Sequence, residues 1–346
     1  MFELTEEQKS LRAKARSLAD THVVQRAAEV DQSEEYPWDT VARLTEDGFM
    51  GMTVPPELGG PGRSYLDTVL VVEEMARTCG VTARIVVEGN MGAIGAILAY
   101  GSPEQCRVAA EHVLSGDKPA ICITEPEAGS AATEMTTQAV KCAEGYRLNG
   151  SKHWITGGGV SRLHLIFARL MVAGEDQGIA GFMAFRDQDE GLVVGEREPA
   201  MGLRGLPETQ LHLRDLTLGP DRLVAPPEGT KRGFAGLMSA YNAQRVGAAT
   251  VALGIAEGAL RTTIDFVKKR RQFGRPIAEF QGLQWILADM RVAVDAARLM
   301  IWRAAASAET MGTGFPDPLL GVADNELPGT RKSLIFMSRA FRRNWG

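Results

Sequence analysis

Apolar positions recur every three to four residues through most of the first 115 residues, the spacing of helices with one buried face. Thr5 followed by Gln8 is a capping box, and Leu11, Ala15 and Leu18 then fall at helical spacing. The same period predicts helices over 38–47, 65–78, 81–100 and 103–114. Between the second and third lies Pro55-Pro56-Glu57-Leu58-Gly59-Gly60-Pro61-Gly62, which proline and glycine exclude from helix. Near Lys118 the period shortens. Residues 119–124 read as a short apolar strand, followed by strand-like runs at Leu163–Ala168, Ile179–Phe185 and Gln210–Leu218, with Leu211 and Leu213 on one face. Asn149-Gly150 between two candidate strands predicts a hairpin turn. After Pro226-Pro227 the helical period returns over 231–269 and again over 283–310. Gly247, Gly254 and Gly258 share a face of the first of these, which suits close packing against another helix.

Without βαβ alternation, the pattern predicts a multi-domain α+β chain. Its parts are an N-terminal helical domain (1–117), a middle β-barrel domain (118–222) and an incomplete C-terminal helical bundle (223–320). Residues 321–346 differ: five basic and two acidic residues give +3, against −8 elsewhere, with little apolar periodicity. A frame-shifted end and a natural basic surface tail both fit that segment.

Composition narrows the function classes. The chain has 346 residues, 45% hydrophobic and 23% charged, so it is expected to be globular. A net charge of −5 argues against nucleic acid as a partner. Cys79, Cys106, Cys122 and Cys142 show no CxxC spacing and read as reduced thiols of a cytoplasmic protein. The start, MFELTEEQKS, lacks a signal-peptide pattern, and no run approaches ~20 apolar residues, so no membrane span is expected.

Three motifs carry candidate chemistry. Thr124-Glu125-Pro126-Glu127-Ala128-Gly129-Ser130 places hydroxyls and backbone N–H groups after a strand, fit for a planar polar ring or a phosphate, or for an ordinary turn. His153-Trp154-Ile155-Thr156-Gly157-Gly158-Gly159 sets an indole beside a hydroxyl on one strand face, suited to stacking on a flavin, or simply to a core. Arg270-Arg271-Gln272-Phe273-Gly274 ends a helix with guanidinium groups that match a pyrophosphate, or that complement the helix dipole.

In this order, with Gln244-Arg245 and Phe280-Gln281, these elements resemble the acyl-CoA dehydrogenase superfamily over about residues 1–320. The resemblance implies FAD and an acyl-CoA thioester. Ile123, Thr124, Trp154 and Thr156 would contact the flavin ring, with Ile155 in the same cofactor-binding run, and Ser130 would lie between flavin and thioester. Arg270, Phe273 and Gln281 would reach the FAD of a neighbouring subunit in a homotetramer or dimer. Asn242 and Arg245 would hold the CoA chain. A dehydrogenase of this kind needs a carboxylate to remove the α-proton. One place the family keeps it is occupied here by Gln244, an amide that cannot serve as a base near neutral pH. The other place lies late in the C-terminal helical domain, in a segment this sequence does not match.

One branch of the superfamily lacks the base: the 3-sulfinopropionyl-CoA desulfinases, which cleave a C–S bond to give propionyl-CoA and sulfite without net oxidation. The sequence resembles that branch at Phe49–Val54, from Thr82-Ala83-Arg84 to Ile97, from Ile155 to Arg169, and at Ser239–Arg245. Arg84 matches the arginine that would hold the sulfino group, and guanidinium is apt for an anionic acyl tail; an arginine on a helix is otherwise most often an ordinary surface residue. The expected function is therefore desulfination, with Arg84 and Gln244 central. The alternatives are a true dehydrogenase of a short acyl-CoA whose base comes from elsewhere, and an inactive homologue unable to hold FAD.

Overall fold

The computed structural model describes residues 3–227, 229–231 and 233–307. The atypical segment 321–346, and the end of the last expected helix, lie outside the described residues.

Seven helices come first: α1 (Glu6–Leu18), α2 (Val24–Ser33), α3 (Trp38–Glu46), α4 (Tyr65–Ala76), α5 (Gly80–Met91), α6 (Ala93–Tyr100) and α7 (Pro103–Leu114). Capping boxes start α1 at Thr5, α4 at Ser64 and α7 at Ser102, each joining a hydroxyl to the backbone three residues on. Eight strands follow: β1 (Ala120–Cys122), β2 (Gln138–Cys142), β3 (Gly145–Thr156), β4 (Leu163–Val172), β5 (Glu175–Phe185), β6 (Leu192–Arg197), β7 (Glu208–Leu218) and β8 (Leu223–Val224). Then come α8 (Gly233–Ala240), α9 (Asn242–Lys269), a small hairpin of β9 (Arg271–Gln272) and β10 (Arg275–Pro276), and α10 (Gln281–Ser307).

Two expected helices are each broken once. Gly92 separates α5 from α6, and Tyr241 separates α8 from α9. The stretch Gly80–Tyr100 has the length and mean hydropathy (1.3) of a membrane span, although Arg84 and Glu88 interrupt it; 83% of that window is buried.

The expected turn at Asn149-Gly150 is not there. Both residues lie inside β3, where the register against β7 shifts between Leu148 and Gly150. Asn149 Oδ1 accepts the Asp215 N–H at 2.9 Å, closing this bulge. Gly150 has φ +150°, and a Cβ there would stand 2.8 Å from Thr137 Cα. Glycine serves close approach of strands at this point rather than chain reversal. The β2–β3 hairpin turns six residues earlier, where Cys142 pairs with Gly145 across Ala143 and Glu144.

Contacts divide the chain into two units. Of the described residues, the first holds those up to 27, 64–84 and 245–307; the second holds 28–63 and 85–244. In the first, α9 lies against α4: a Cβ on Gly254 would stand 2.6 Å from the Glu73 carbonyl oxygen, and one on Gly258 would run into the Arg77 backbone. Glu73 and Glu74 of α4 are 2% exposed. Arg12 and Arg16 of α1 and Arg298 of α10 neutralise them, and Glu257 of α9 is met by Arg261, Arg291 and Arg298.

In the second unit the strand order is β6-β7-β3-β2-β4-β5-β8, with β1 beside β4. One cluster, including Leu148, Ile166, Phe182, Leu211 and Leu216, packs on one face of the sheet. The opposite face of β4 and β5, with Leu165, Phe167 and Met183, is covered by α6, α7 and α8 through Ile94, Ile97, Val113 and Leu237. Alternation along β4 and β5 therefore feeds two cores at once, which is why both strands read as nearly continuous apolar runs.

Candidate active site

In the second unit the chain crossing from β1 meets the end of β3. His153 N donates to the Thr124 carbonyl at 2.9 Å, and Lys152 Nζ donates to the Ile123 carbonyl at 3.1 Å. Ile123, Thr124 and the run Trp154–Thr156 are thus brought together, with both Ile123 and Thr124 half-buried. Ser130 is exposed on the loop that follows Thr124.

This junction is pinned by a buried ion pair. Lys152 Nζ lies 2.7 Å from Glu125 Oε1, and both side chains are almost completely buried. Glu125 also accepts the N–H groups of Thr136 at 2.6 Å and Thr137 at 3.1 Å. Burial alone would raise the Glu125 carboxyl, but Lys152 and the threonine donors outweigh it and hold it at about 2. A second buried pair lies below the end of β3: Lys118 Nζ is 2.5 Å from Glu88 Oε2 and 3.5 Å from the Thr156 carbonyl oxygen. Gly157, at φ +75°, packs directly over that ammonium.

Simple alternation does not carry β3 through Trp154. The register against β7 shifts between Lys152 and Ile155, and both of these residues point inward although three apart. Trp154 takes φ +57°, rare for a bulky side chain, at a cost of about 1–3 kcal/mol. The bulge turns its indole outward, 52% exposed. The Thr156 hydroxyl donates to Glu208 Oε1 at 2.8 Å, leaving its oxygen free to accept. An exposed indole with half-buried Thr124 and Thr156 close by in the fold suits a flat heteroaromatic ring with polar edges.

Gln244, in the first turn of α9, is 3% exposed, and its Oε1 has no hydrogen-bond partner among the described residues. A Cβ on Gly92 would stand 3.2 Å from that oxygen, so the α5–α6 break faces it. Asn242, two residues earlier, is 6% exposed. The remaining expected residues fall in the first unit. Arg84 is half-buried on α5, and Arg245 is exposed on α9. Arg270 and Gln281 are exposed at the two ends of the β9–β10 hairpin, and Phe273 is 91% exposed at its tip. Phe273 and Gly274 both have positive φ, as a two-residue hairpin turn requires, and Arg275 stacks 4.4 Å over the Phe280 ring.

Two arrangements carry no sequence signal. Glu88 lies 30 residues from Lys118, and Glu198 lies 45 residues from its partner His153, whose Nε2 is 2.6 Å from Glu198 Oε1. Only the strand pairing and the α5 packing bring these charges together.

Three family models match consecutive stretches of the chain: the acyl-CoA dehydrogenase N-terminal domain over residues 5–117, the middle domain over 120–216 and the C-terminal domain over 231–318. The chain belongs to the acyl-CoA dehydrogenase family. It is 59% identical over 320 residues to a 3-sulfinopropanoyl-CoA desulfinase of Variovorax paradoxus, covering 92% of this chain and 79% of that protein. A protein of the same description from Cupriavidus necator is 60% identical over 319 residues, covering 92% of this chain and 80% of the relative. Among solved structures, butyryl-CoA dehydrogenase from Megasphaera elsdenii superposes with a TM-score of 0.84 at 29% identity, covering 91% of this chain and 82% of that one. A glutaryl-CoA dehydrogenase from Mycobacterium smegmatis in complex with FADH2 shares the fold, with a TM-score of 0.86 at 23% identity, covering 99% of this chain and 85% of that one. The family thus accounts for the helical, sheet and helical order.

Proposed function

We propose that this protein is an FAD-binding 3-sulfinopropanoyl-CoA desulfinase. The observation that carries the reading is Gln244: where family members of one kind place the catalytic base stands a buried carboxamide whose Oε1 has no partner among the described residues. Four carboxylates near the candidate flavin residues are engaged with other groups: Glu125 with Lys152, Glu88 with Lys118, Glu198 with His153 and Gln210, and Glu208 with Thr156. Glu125 and Glu88, each buried against a lysine, are spoken for as counter-ions and do not replace the missing base. The 59% and 60% identity to desulfinases of two bacteria, over 92% of this chain, supports the same reading.

In this reading Trp154 stacks on the flavin, Ile123, Thr124, Ile155 and Thr156 line its ring, and Ser130 lies between ring and thioester. Asn242 and Arg245 hold the CoA chain. Arg270, Phe273 and Gln281, exposed here, reach the FAD of a neighbouring subunit in a homotetramer. When bound, FAD supplies a flat, electron-poor ring against which the thioester is held. Arg84 pairs with the sulfinate, since its planar fork matches two sulfinate oxygens. Gln244 offers the acyl tail a neutral amide and removes no proton. The C–S bond breaks with its electron pair passing to carbon, which takes a proton from water; the released sulfur dioxide adds hydroxide to leave as hydrogen sulfite. The balance is one water consumed and no net oxidation. The described cysteines, all unpaired, accord with a cytoplasmic setting.

The test is sulfite release from 3-sulfinopropanoyl-CoA by the purified yellow protein. Arg84→Ala is expected to abolish release while flavin stays bound. Undiminished release by that variant would remove Arg84 from the mechanism, and release of no sulfite by the unaltered protein would overturn the reading.

A further inference from the structure

On a regular strand, consecutive side chains point to opposite faces and their rings cannot stack. His153 and Trp154 nevertheless lie with ring centroids 4.8 Å apart and planes 8° from parallel. The left-handed backbone at Trp154 and the register shift beside it place the two rings on the same side. The imidazole is itself anchored: Nε2 lies 2.6 Å from Glu198 Oε1 on the segment after β6, and that oxygen also accepts from Gln210 Nε2 of β7 at 2.7 Å. Hydrogen bonds from Gln210 and His153 hold the Glu198 carboxyl below its ordinary range, so it is ionised and Nε2 carries the proton it donates. The His153 N–H is fixed to Thr124, so the same residue ties the indole to the loop that carries the candidate flavin contacts.

We propose that His153, locked by Glu198, is a positioning residue for Trp154: it backs one face of the indole and sets the other to receive a planar ligand. The proposal rests on the reading that Trp154 stacks on flavin. It assigns a role to a pair of residues that the stacking alone does not require, and it explains why a costly backbone conformation is kept at Trp154.

The experiment compares the holoprotein with His153→Ala, His153→Phe and His153→Gln. Flavin affinity is read by titrating FAD into apoprotein, flavin orientation by visible circular dichroism, and fold by the melting midpoint. Loss of the stacked ring is expected to weaken FAD about tenfold, the effect of roughly one aromatic contact, and to diminish the flavin dichroic band while the midpoint moves little. His153→Phe, which restores a ring, is expected to recover most of both signals, and His153→Gln is not. Should His153→Ala fail to fold, Glu198→Ala, which keeps both rings but frees the imidazole, is expected to show the same losses at smaller size. Unaltered affinity and dichroism in both variants would overturn the proposal and leave the flavin reading standing. If the unaltered protein takes up no FAD, the flavin reading falls. The emission of Trp154, taken as the difference from Trp154→Phe, then tests the stacking by itself: it is expected to rise in His153→Ala, and no change overturns the proposal.

Discussion

Glu125→Gln isolates the ion pair that pins the candidate flavin loop. The substitution keeps shape and acceptor oxygen but removes the charge, leaving the Lys152 ammonium with its side chain 0% exposed. Glu125 sits at about 2, against an ordinary 4.5. At 1.36 kcal/mol per unit this difference corresponds to about 3 kcal/mol of stability. Stranding a buried partner costs about 3–5 kcal/mol, so both routes give a large loss. The sign with pH follows from the depressed value. The contribution is present above the unfolded carboxyl's range and disappears as pH falls toward 2. Urea unfolding at pH 7 is therefore expected to show Glu125→Gln about 3 kcal/mol less stable, with the gap closing as pH drops below 4.5. The double variant Glu125→Gln with Lys152→Met is expected to recover part of the loss, because no charge is then stranded. A single-variant cost under about 1 kcal/mol, or a double variant as damaged as the sum of its parts, would refute the assignment.

Other perturbations read other parts of the chain. Arg298→Ala strips one cation from both Glu73 and Glu257, which keep Arg12 and Arg261 with Arg291, and is expected to lower unfolding stability by about 1.5–3 kcal/mol; a loss near zero would contradict a role for Arg298 in tying α10 to α4 and α9. Gly254→Val thrusts side-chain carbon into Ala76 and the Glu73 carbonyl and is expected to cost about 1–3 kcal/mol in a melting experiment, whereas an unchanged midpoint would contradict the α9–α4 packing. Ser102→Ala removes the α7 capping box and is expected to cost about 1 kcal/mol by denaturant titration.

Periodicity located most helices and strands because each has one face to bury, and the period survives in a single chain. It overran two of them. A helix can break at Gly92 or Tyr241 while the apolar spacing continues on both sides, so the break leaves no mark in the pattern. Asn149-Gly150 misled because the same dipeptide suits a turn and a bulge, and only the neighbouring Thr137 and Asp215 decide between them. Of the candidate site, Thr124, Trp154, Thr156 and Gln244 were legible as contiguous motifs. Lys152 was visible but silent until its pairing with Glu125 appeared, and the His153–Glu198 contact depends on strands brought together across 45 residues. Charge pairs of this kind follow tertiary packing, which no local spacing encodes.

The proposal that Gln244 leaves the acyl chain without a base is tested most directly by the visible spectrum of the holoprotein mixed anaerobically with butanoyl-CoA. The oxidised flavin band is expected to persist, since Gln244 accepts no proton from the acyl chain. Bleaching of that band on substrate addition, with enoyl-CoA formed, would contradict the account.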